Sequence, residues 1–133
     1  MLLIRDIMTS AVYTVEANAS AEEAAWGLTR RHIGGAPARD AQGNLVGVVS
    51  SSDLVNPEPA QWIKGEATVG DVMNPDVVSL YADDPAMAAV KEMASRRIHR
   101  IVVLDDESKL AGIVTPMDVV SALARGVRFD LAD

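Results

Sequence analysis

The chain has 133 residues, 49% of them hydrophobic, which suits one compact domain or two closely packed repeats and excludes a disordered tail. A formal charge of −7 argues against broad nucleic-acid binding, which needs a basic face to displace counterions from phosphates. No cysteine is present, so a disulfide framework, a thiolate metal site and a cysteine nucleophile are all excluded.

In chain order, Ile4-Arg5-Asp6-Ile7-Met8 reads as one helical turn leading into a β-rich strand over 12–15. Because the N-terminus turns charged within a few residues, no typical signal peptide is expected. No run approaches the roughly 20 apolar residues that span a bilayer, so a soluble cytoplasmic protein is expected. Ser20, with Glu23 three places on, forms a capping box. Ala24, Ala25, Leu28 and Ile33 then lay an apolar stripe along a helix that closes at Arg30-Arg31-His32 and Gly34-Gly35. Ala36-Pro37-Ala38 is a short extended segment, 40–44 a polar turn with Gly43 near its tip, and 45–49 the returning strand, after which Ser50 opens a brief helix.

Asn56-Pro57-Glu58-Pro59 breaks the pattern and begins a connection whose Trp62 and Ile63 are expected to pack against the body rather than a partner. Beyond it the scheme repeats. A lead-in turn over 68–73 precedes a strand over 77–80 and a helix start at Asp83-Asp84-Pro85, with a cap and proline at the first helical position. Ala86, Met87, Ala89, Val90, Met93 and Ala94 cover more than one face of that helix, as if it meets both its own sheet and another helix. A strand over 98–104 carries His99 and Arg100 at its start, 105–109 is a turn, 110–114 returns, and a last helix over 116–124 is stopped by Gly126. The tail 127–133 is expected to be loosely held.

The most informative stretch is Gly112-Ile113-Val114-Thr115-Pro116-Met117-Asp118, a buried strand running into the first turn of a helix. Thr115 suits the N-cap, Pro116 the first helical position, and Asp118 follows the cap by three. Two readings are open. The stretch is an ordinary capping box, or its outward amides and hydroxyl hold a phosphate while Asp118 accepts from the hydroxyls of a ribose. The stretch also occurs twice: Gly47-Val48-Val49-Ser50-Ser51-Ser52-Asp53 lies 65 positions earlier, without a gap. The same shift lays Asp6 and Met8 on Asp71 and Met73, Val12 on Val77, Arg31 and Ile33 on Arg96 and Ile98, and Asp40 on Asp105. A register kept through strand, helix and strand marks a tandem duplication. One copy is too short to bury a full core alone, so the two are expected to pack as one body. The division is residues 1–58 and 67–126 as the two repeats, 59–66 as linker and 127–133 as tail.

These residues resemble the paired cystathionine β-synthase (CBS) domains of a Bateman module, over nearly all of 4–124. The cues are the lead-ins Arg5-Asp6-Ile7-Met8 and Gly70-Asp71-Val72-Met73, and the segments Ile33-Gly34-Gly35-Ala36-Pro37 and Ile98-His99-Arg100-Ile101-Val102. The third cue is the two Gly-h-h-Ser/Thr-x-x-Asp motifs, h being apolar. The resemblance implies an α/β (α+β) fold of two repeats, each helix-strand-helix-strand-strand-helix, packed by their sheets with pseudo-twofold symmetry and leaving two clefts for adenosine ligands. Carried over, the preferred cleft uses Thr115 for phosphate, Asp118 for ribose, and Ile113, Tyr13 and Ile33 around the base, with His99 and Arg100 matching the family's phosphate-contacting pair. The second uses Ser50, Asp53, Val48, Val78 and Ile98. Gly34-Gly35 stands where the other repeat has His99-Arg100, and without an arginine's charge-assisted bonds this cleft is the weaker for anions. The plainer reading of His99 and Arg100, and of Arg30-Arg31-His32 and Arg96-Arg97, is a solvated basic helix end complementing the dipole.

Catalysis is not expected, since it needs a base beside a nucleophile or converging metal ligands. Ser50 and Thr115 stand where caps belong, with no histidine close in sequence. Asp83-Asp84 and Asp105-Asp106-Glu107 fall where acidic residues are ordinary, so neither a metal nor a required cofactor is expected. The resemblance implies, and we expect, a stand-alone regulatory module that binds an adenosine nucleotide (AMP, ADP, ATP or an S-adenosylmethionine-like molecule) between the repeats and is read by an unidentified effector protein. The alternative is a structural dimerisation module with vestigial ligand sites. A homodimer is expected from the Ala- and Met-rich helix and from the family's habit of pairing modules. No membrane contact is expected, and nucleic-acid binding through the arginine pairs is opposed by the acidic balance.

Overall fold

The computed structural model describes residues 1–55 and 67–129. The linker 59–66, with Trp62 and Ile63, lies outside the described residues, as does the end of the tail. The chain divides into two units, a continuous one of Tyr13–Val77 and a split one of Met1–Val12 with Val78–Asp133. Each carries a three-stranded sheet and helices, the α/β architecture expected.

The continuous unit runs β1 (Val15–Glu16), α1 (Ala21–Arg30), β2 (Gly35–Arg39), β3 (Leu45–Ser50), α2 (Ser51–Val55) and α3 (Val69–Val72). Its sheet has the order β1-β2-β3, parallel and then antiparallel. Ser20 Oγ accepts the Glu23 N–H at 3.3 Å and caps α1, and Val15, Ala24, Leu28, Ala38, Val49 and Val69 are among the residues that fill the core. Pro37 is tolerated in the central strand for a local reason. Its partner Val48 exchanges both backbone bonds with Asn74 on the far side, so the Pro37–Val48 pair needs no proline N–H, and β1 reaches only Ala38 and Arg39. The turn between β2 and β3 is held by Asp40, whose carboxylate accepts from the Gln42 and Asn44 amides and from Asn44 Nδ2. Those bonds, Asn44's backbone amide foremost, hold its pKa below the usual carboxylate value.

The split unit repeats the plan. A 3-10 turn at Ile4–Asp6 is followed across the division by β4 (Ser79–Tyr81), α4 (Ala86–Arg96), β5 (Ile101–Leu104), β6 (Leu110–Val114) and α5 (Pro116–Ala124). Ile4, Ile7, Ala89, Met93, Ile101, Val103, Val114 and Ala122 belong to a separate core. Each unit thus holds a core of its own, built from more than one repeat.

That borrowing is reciprocal. Ile4 and Arg5 donate to the carbonyls of Asp84 and Ala82, and Ala86 donates to Leu2; 65 positions on, Val69 and Gly70 donate to Ala19 and Ala17, while Ala21 donates to Ala67. The lead-in of each repeat therefore completes the unit that holds the strands and helices of the other.

Several expected boundaries are corrected. The strands placed over 12–15 and 77–80 are shorter and later, at Val15–Glu16 and Ser79–Tyr81, because Val12 and Val77 spend their N–H groups on local turns to Ser10 and Pro75. Pro85 is the N-cap of α4, not its first helical residue, and the Asp84 carboxylate turns back to the Tyr81 N–H at 2.8 Å. Helix α1 ends before Gly34, where His32 takes a left-handed φ of 55°. His99 and Arg100 precede β5 rather than lying in it. On α4, Ala86, Met87, Ala89 and Met93 are buried while Ala94 is exposed. Val127 and Phe129, assigned to a loose tail, pack against the split unit's core.

Candidate functional site

Residues on β6 alternate between the two faces of its sheet. Val114 points into the core, and Ile113 lies half-buried on the opposite face, in register with Val102 of β5. Gly112 is required by what crosses it. A Cβ there would stand 2.6 Å from Met8 Sδ and 2.8 Å from the Thr9 carbonyl, because the lead-in runs beside β6 and Thr9 exchanges both backbone bonds with Ile113. Gly47 is in the same position against Met73 and Asn74.

At the end of β6, Thr115 is extended (φ −125°, ψ 165°) and Pro116 opens α5. Asp118 Oδ2 accepts the Thr115 N–H at 2.9 Å and lies 3.3 Å from the Thr115 hydroxyl, which in turn is 3.4 Å from the Asp118 N–H. This is the reciprocal capping box, the plainer of the two readings of the stretch. Asp118 Oδ1 is engaged too, accepting from Thr9 Oγ1 at 2.9 Å. A carboxylate offers about four acceptor positions, so one on Oδ1 remains, and the long Thr115 hydroxyl contact leaves a second that a hydroxyl rotation opens. Both residues are partly exposed. The groups needed for a diol and an anion are therefore present, although in this structure most serve the helix end.

The continuous unit holds the counterpart. Asp53 Oδ2 accepts the Ser50 N–H at 2.9 Å, Ser50 Oγ accepts the Asp53 N–H at 3.2 Å, and the Ser50 and Ser52 hydroxyls are 2.9 Å apart. Asn74, at the position equivalent to Thr9, does not reach Asp53; its Oδ1 accepts the Asp76 N–H at 2.9 Å.

The remaining candidates divide between the units. Thr115, Asp118, Ile113, His99 and Arg100 lie in the split unit, where His99 is exposed and Arg100 is half-buried and engaged within the chain. Tyr13 and Ile33 lie in the continuous unit. There the Arg31 guanidinium covers the Tyr13 ring at 3.9 Å from its centroid, and the Tyr13 hydroxyl packs against α1 at Gly27. Of the second set, Ser50, Asp53 and Val48 share the continuous unit, and Val78 and Ile98 belong to the split one. Thr9 was not singled out from sequence. Its signal was faint: a hydroxyl residue directly after the repeated Met8, where the other copy has Asn74.

A cavity of about 710 Å³ in the split unit is lined by Arg5, Tyr81, Asp83, Asp84, Asp105 and Asp106 among others. It adjoins the β5–β6 turn, at the opposite end of β6 from Thr115. Its carboxylates are largely committed: Asp83 pairs with Arg5, Asp84 caps Tyr81, and Asp105 accepts from the amides of Glu107 and Lys109. Among the described residues, no group of three or more histidines or carboxylates is placed to hold a metal, and no helix is long and apolar enough to cross a membrane.

Comparison with known proteins places this geometry. The family model described as the CBS domain matches residues 4–57 and 69–125. The protein MJ1232 of Methanocaldococcus jannaschii is 30% identical over 122 residues, covering 91% of this chain and 39% of its own length. Two further curated relatives are likewise spanned by this chain over only 22% and 23% of their length. Among solved structures, CBSX2 of Arabidopsis thaliana in complex with AMP is similar with a TM-score of 0.83 and 27% identity, over 96% of this chain and 100% of that one. The CBS domain pair of MJ0100, in complex with 5′-methylthioadenosine and S-adenosyl-L-methionine, gives 0.81 and 27% over 95% and 98%.

Proposed function

Since the chain belongs to the CBS domain family, as a tandem pair of that repeat, we propose that it is a non-catalytic regulatory module that binds an adenosine ligand. The carrying observation is the duplicated strand-to-helix turn, which in each unit leaves a hydroxyl and a carboxylate three residues apart at the surface. Support comes from the AMP bound by CBSX2 and the methylthioadenosine and S-adenosylmethionine bound by MJ0100. In this reading the ribose hydroxyls donate to Asp118, and the Thr115 hydroxyl and the N-terminus of α5 face the phosphate or its replacement, with His99 and Arg100 just ahead of β5, whose Ile101 pairs with Val114. Ile113, half-buried on the strand that leads into this turn, supplies apolar surface for the base. Asp53, Ser50 and Val48 of the continuous unit form the second, weaker site. The ligand acts by favouring one arrangement of the chain over another, which an effector protein reads. The protein works in the cytoplasm.

A second reading is favoured by a specific observation. Met117, Val120 and Leu123, spaced along one side of α5, are 66%, 54% and 55% exposed, and the Asp118 carboxylate is occupied by its own chain. Both features suit a homodimerising structural module whose ligand sites are vestigial. Calorimetric titration with AMP, ADP, ATP and S-adenosylmethionine separates the two. Saturable heat with at least one of them supports the sensor, and no heat with all four supports the assembly module.

A further inference from the structure

We propose that Thr9 is a positioning residue for the ligand site, and that its hydroxyl makes the Asp118 site differ from the Asp53 site. This rests on the reading of Asp118 as the ribose acceptor. A carboxylate held at one oxygen can still turn about its Cβ–Cγ bond. Asp53 is in that state, because among the described residues only the Ser50 amide donates to its carboxylate, through Oδ2. Asp118 is held at both ends, Oδ2 by the Thr115 N–H at 2.9 Å and Oδ1 by Thr9 Oγ1 at 2.9 Å. Two anchors fix the plane of the group. Oδ1 keeps one acceptor position and Oδ2 gains one when the Thr115 hydroxyl, 3.3 Å away, rotates off it, which gives the pair of acceptors that the two adjacent hydroxyls of a ribose require. An acceptor fixed before binding spares the ligand the cost of ordering it.

The placement of Thr9 follows from the exchanged lead-ins. Thr9 lies 109 residues before Asp118, yet its backbone pairs with Ile113, and this sets its side chain beside the first turn of α5. In the continuous unit Asn74 pairs with Val48 in the same way, but its side chain is spent on the Asp76 amide. The residue after the repeated methionine thus decides whether the motif aspartate has a second anchor.

The test is calorimetric titration of the full chain with AMP and with 2′,3′-dideoxy-AMP, in wild type and in Thr9→Val, Thr9→Ser and Asn74→Thr. Thr9→Val is expected to weaken AMP binding about five- to tenfold, the loss of one charge-assisted hydrogen bond, and to leave dideoxy-AMP binding unchanged. Thr9→Ser restores AMP affinity to within about twofold, since it keeps the hydroxyl. Asn74→Thr tightens the weaker of the two AMP sites and remains informative should Thr9→Val not fold. Unchanged AMP affinity in Thr9→Val, an equal loss for the dideoxy ligand, or an unaltered second site in Asn74→Thr overturns the assignment of Thr9. Wild type that binds neither ligand, or both equally, overturns the ribose reading of Asp118 and the role of Thr9 with it.

Discussion

Glycine 112 shows how strictly a single side chain is constrained near the motif. A methyl group there meets a backbone carbonyl at 2.8 Å, and a carbonyl tied into the Thr9–Ile113 bridge cannot step aside as a flexible side chain would. Gly112→Ala is therefore expected to destabilise the protein by about 1–3 kcal/mol, measured by chemical denaturation. Wild-type stability would show that the lead-in is held less tightly than its hydrogen bonds imply. Asp118 carries both a cap and the proposed ligand contact, so its removal has two readouts. Asp118→Ala should lower stability by about 1 kcal/mol through the lost cap and abolish the tighter nucleotide binding. Asp53→Ala should weaken binding less, and the reverse order would show that the other motif holds the principal site. The capping boxes were legible because cap chemistry is local: Thr115 and Asp118 are three residues apart. The Thr9 anchor was not, because nothing within a few residues of Asp118 points to a partner 109 positions away.

Elements were legible wherever periodicity and punctuation agreed. The helix after Ser20, the hairpin around Gly43 and the strand-Thr-Pro-helix run at β6 and α5 all formed where their residues placed them. The short parallel strands were misplaced because a two- or three-residue strand carries too little alternation to fix its ends. The exchange of lead-ins was invisible for a different reason. Arg5-Asp6-Ile7-Met8 and Gly70-Asp71-Val72-Met73 are so alike that either fits against either motif glycine, and only chain geometry decides the pairing. The exchange predicts a specific outcome for truncation. Removing residues 1–8 should cost amide protection in β5 and β6, read by hydrogen exchange, while β2 and β3 stay protected. Loss of protection in β2 and β3 instead would mean that each lead-in serves its own repeat.

For the whole molecule, the balance of charge and apolar surface bears on assembly. A chain of charge −7 resists nonspecific association, which gives the apolar side of α5 more weight. The Ala- and Met-rich helix first assigned to dimerisation is largely used inside its own unit, so the candidate surface moves to Met117, Val120 and Leu123. Sedimentation at micromolar concentration is expected to show a dimer, which Val120→Glu should convert to monomer. A monomeric wild type would remove the assembly reading.

Recognition of an adenosine ligand through the Thr115–Asp118 turn is tested most directly by the thermal unfolding midpoint of wild type and Asp118→Ala, each with and without saturating AMP, ADP, ATP or S-adenosylmethionine. At about 100 times its dissociation constant, a ligand of the folded state adds about 2.7 kcal/mol. At least one of the four should raise the wild-type midpoint accordingly and raise that of Asp118→Ala less, by no more than the weaker Asp53 site supplies. A wild type indifferent to all four, or an equal rise in both proteins, would contradict it.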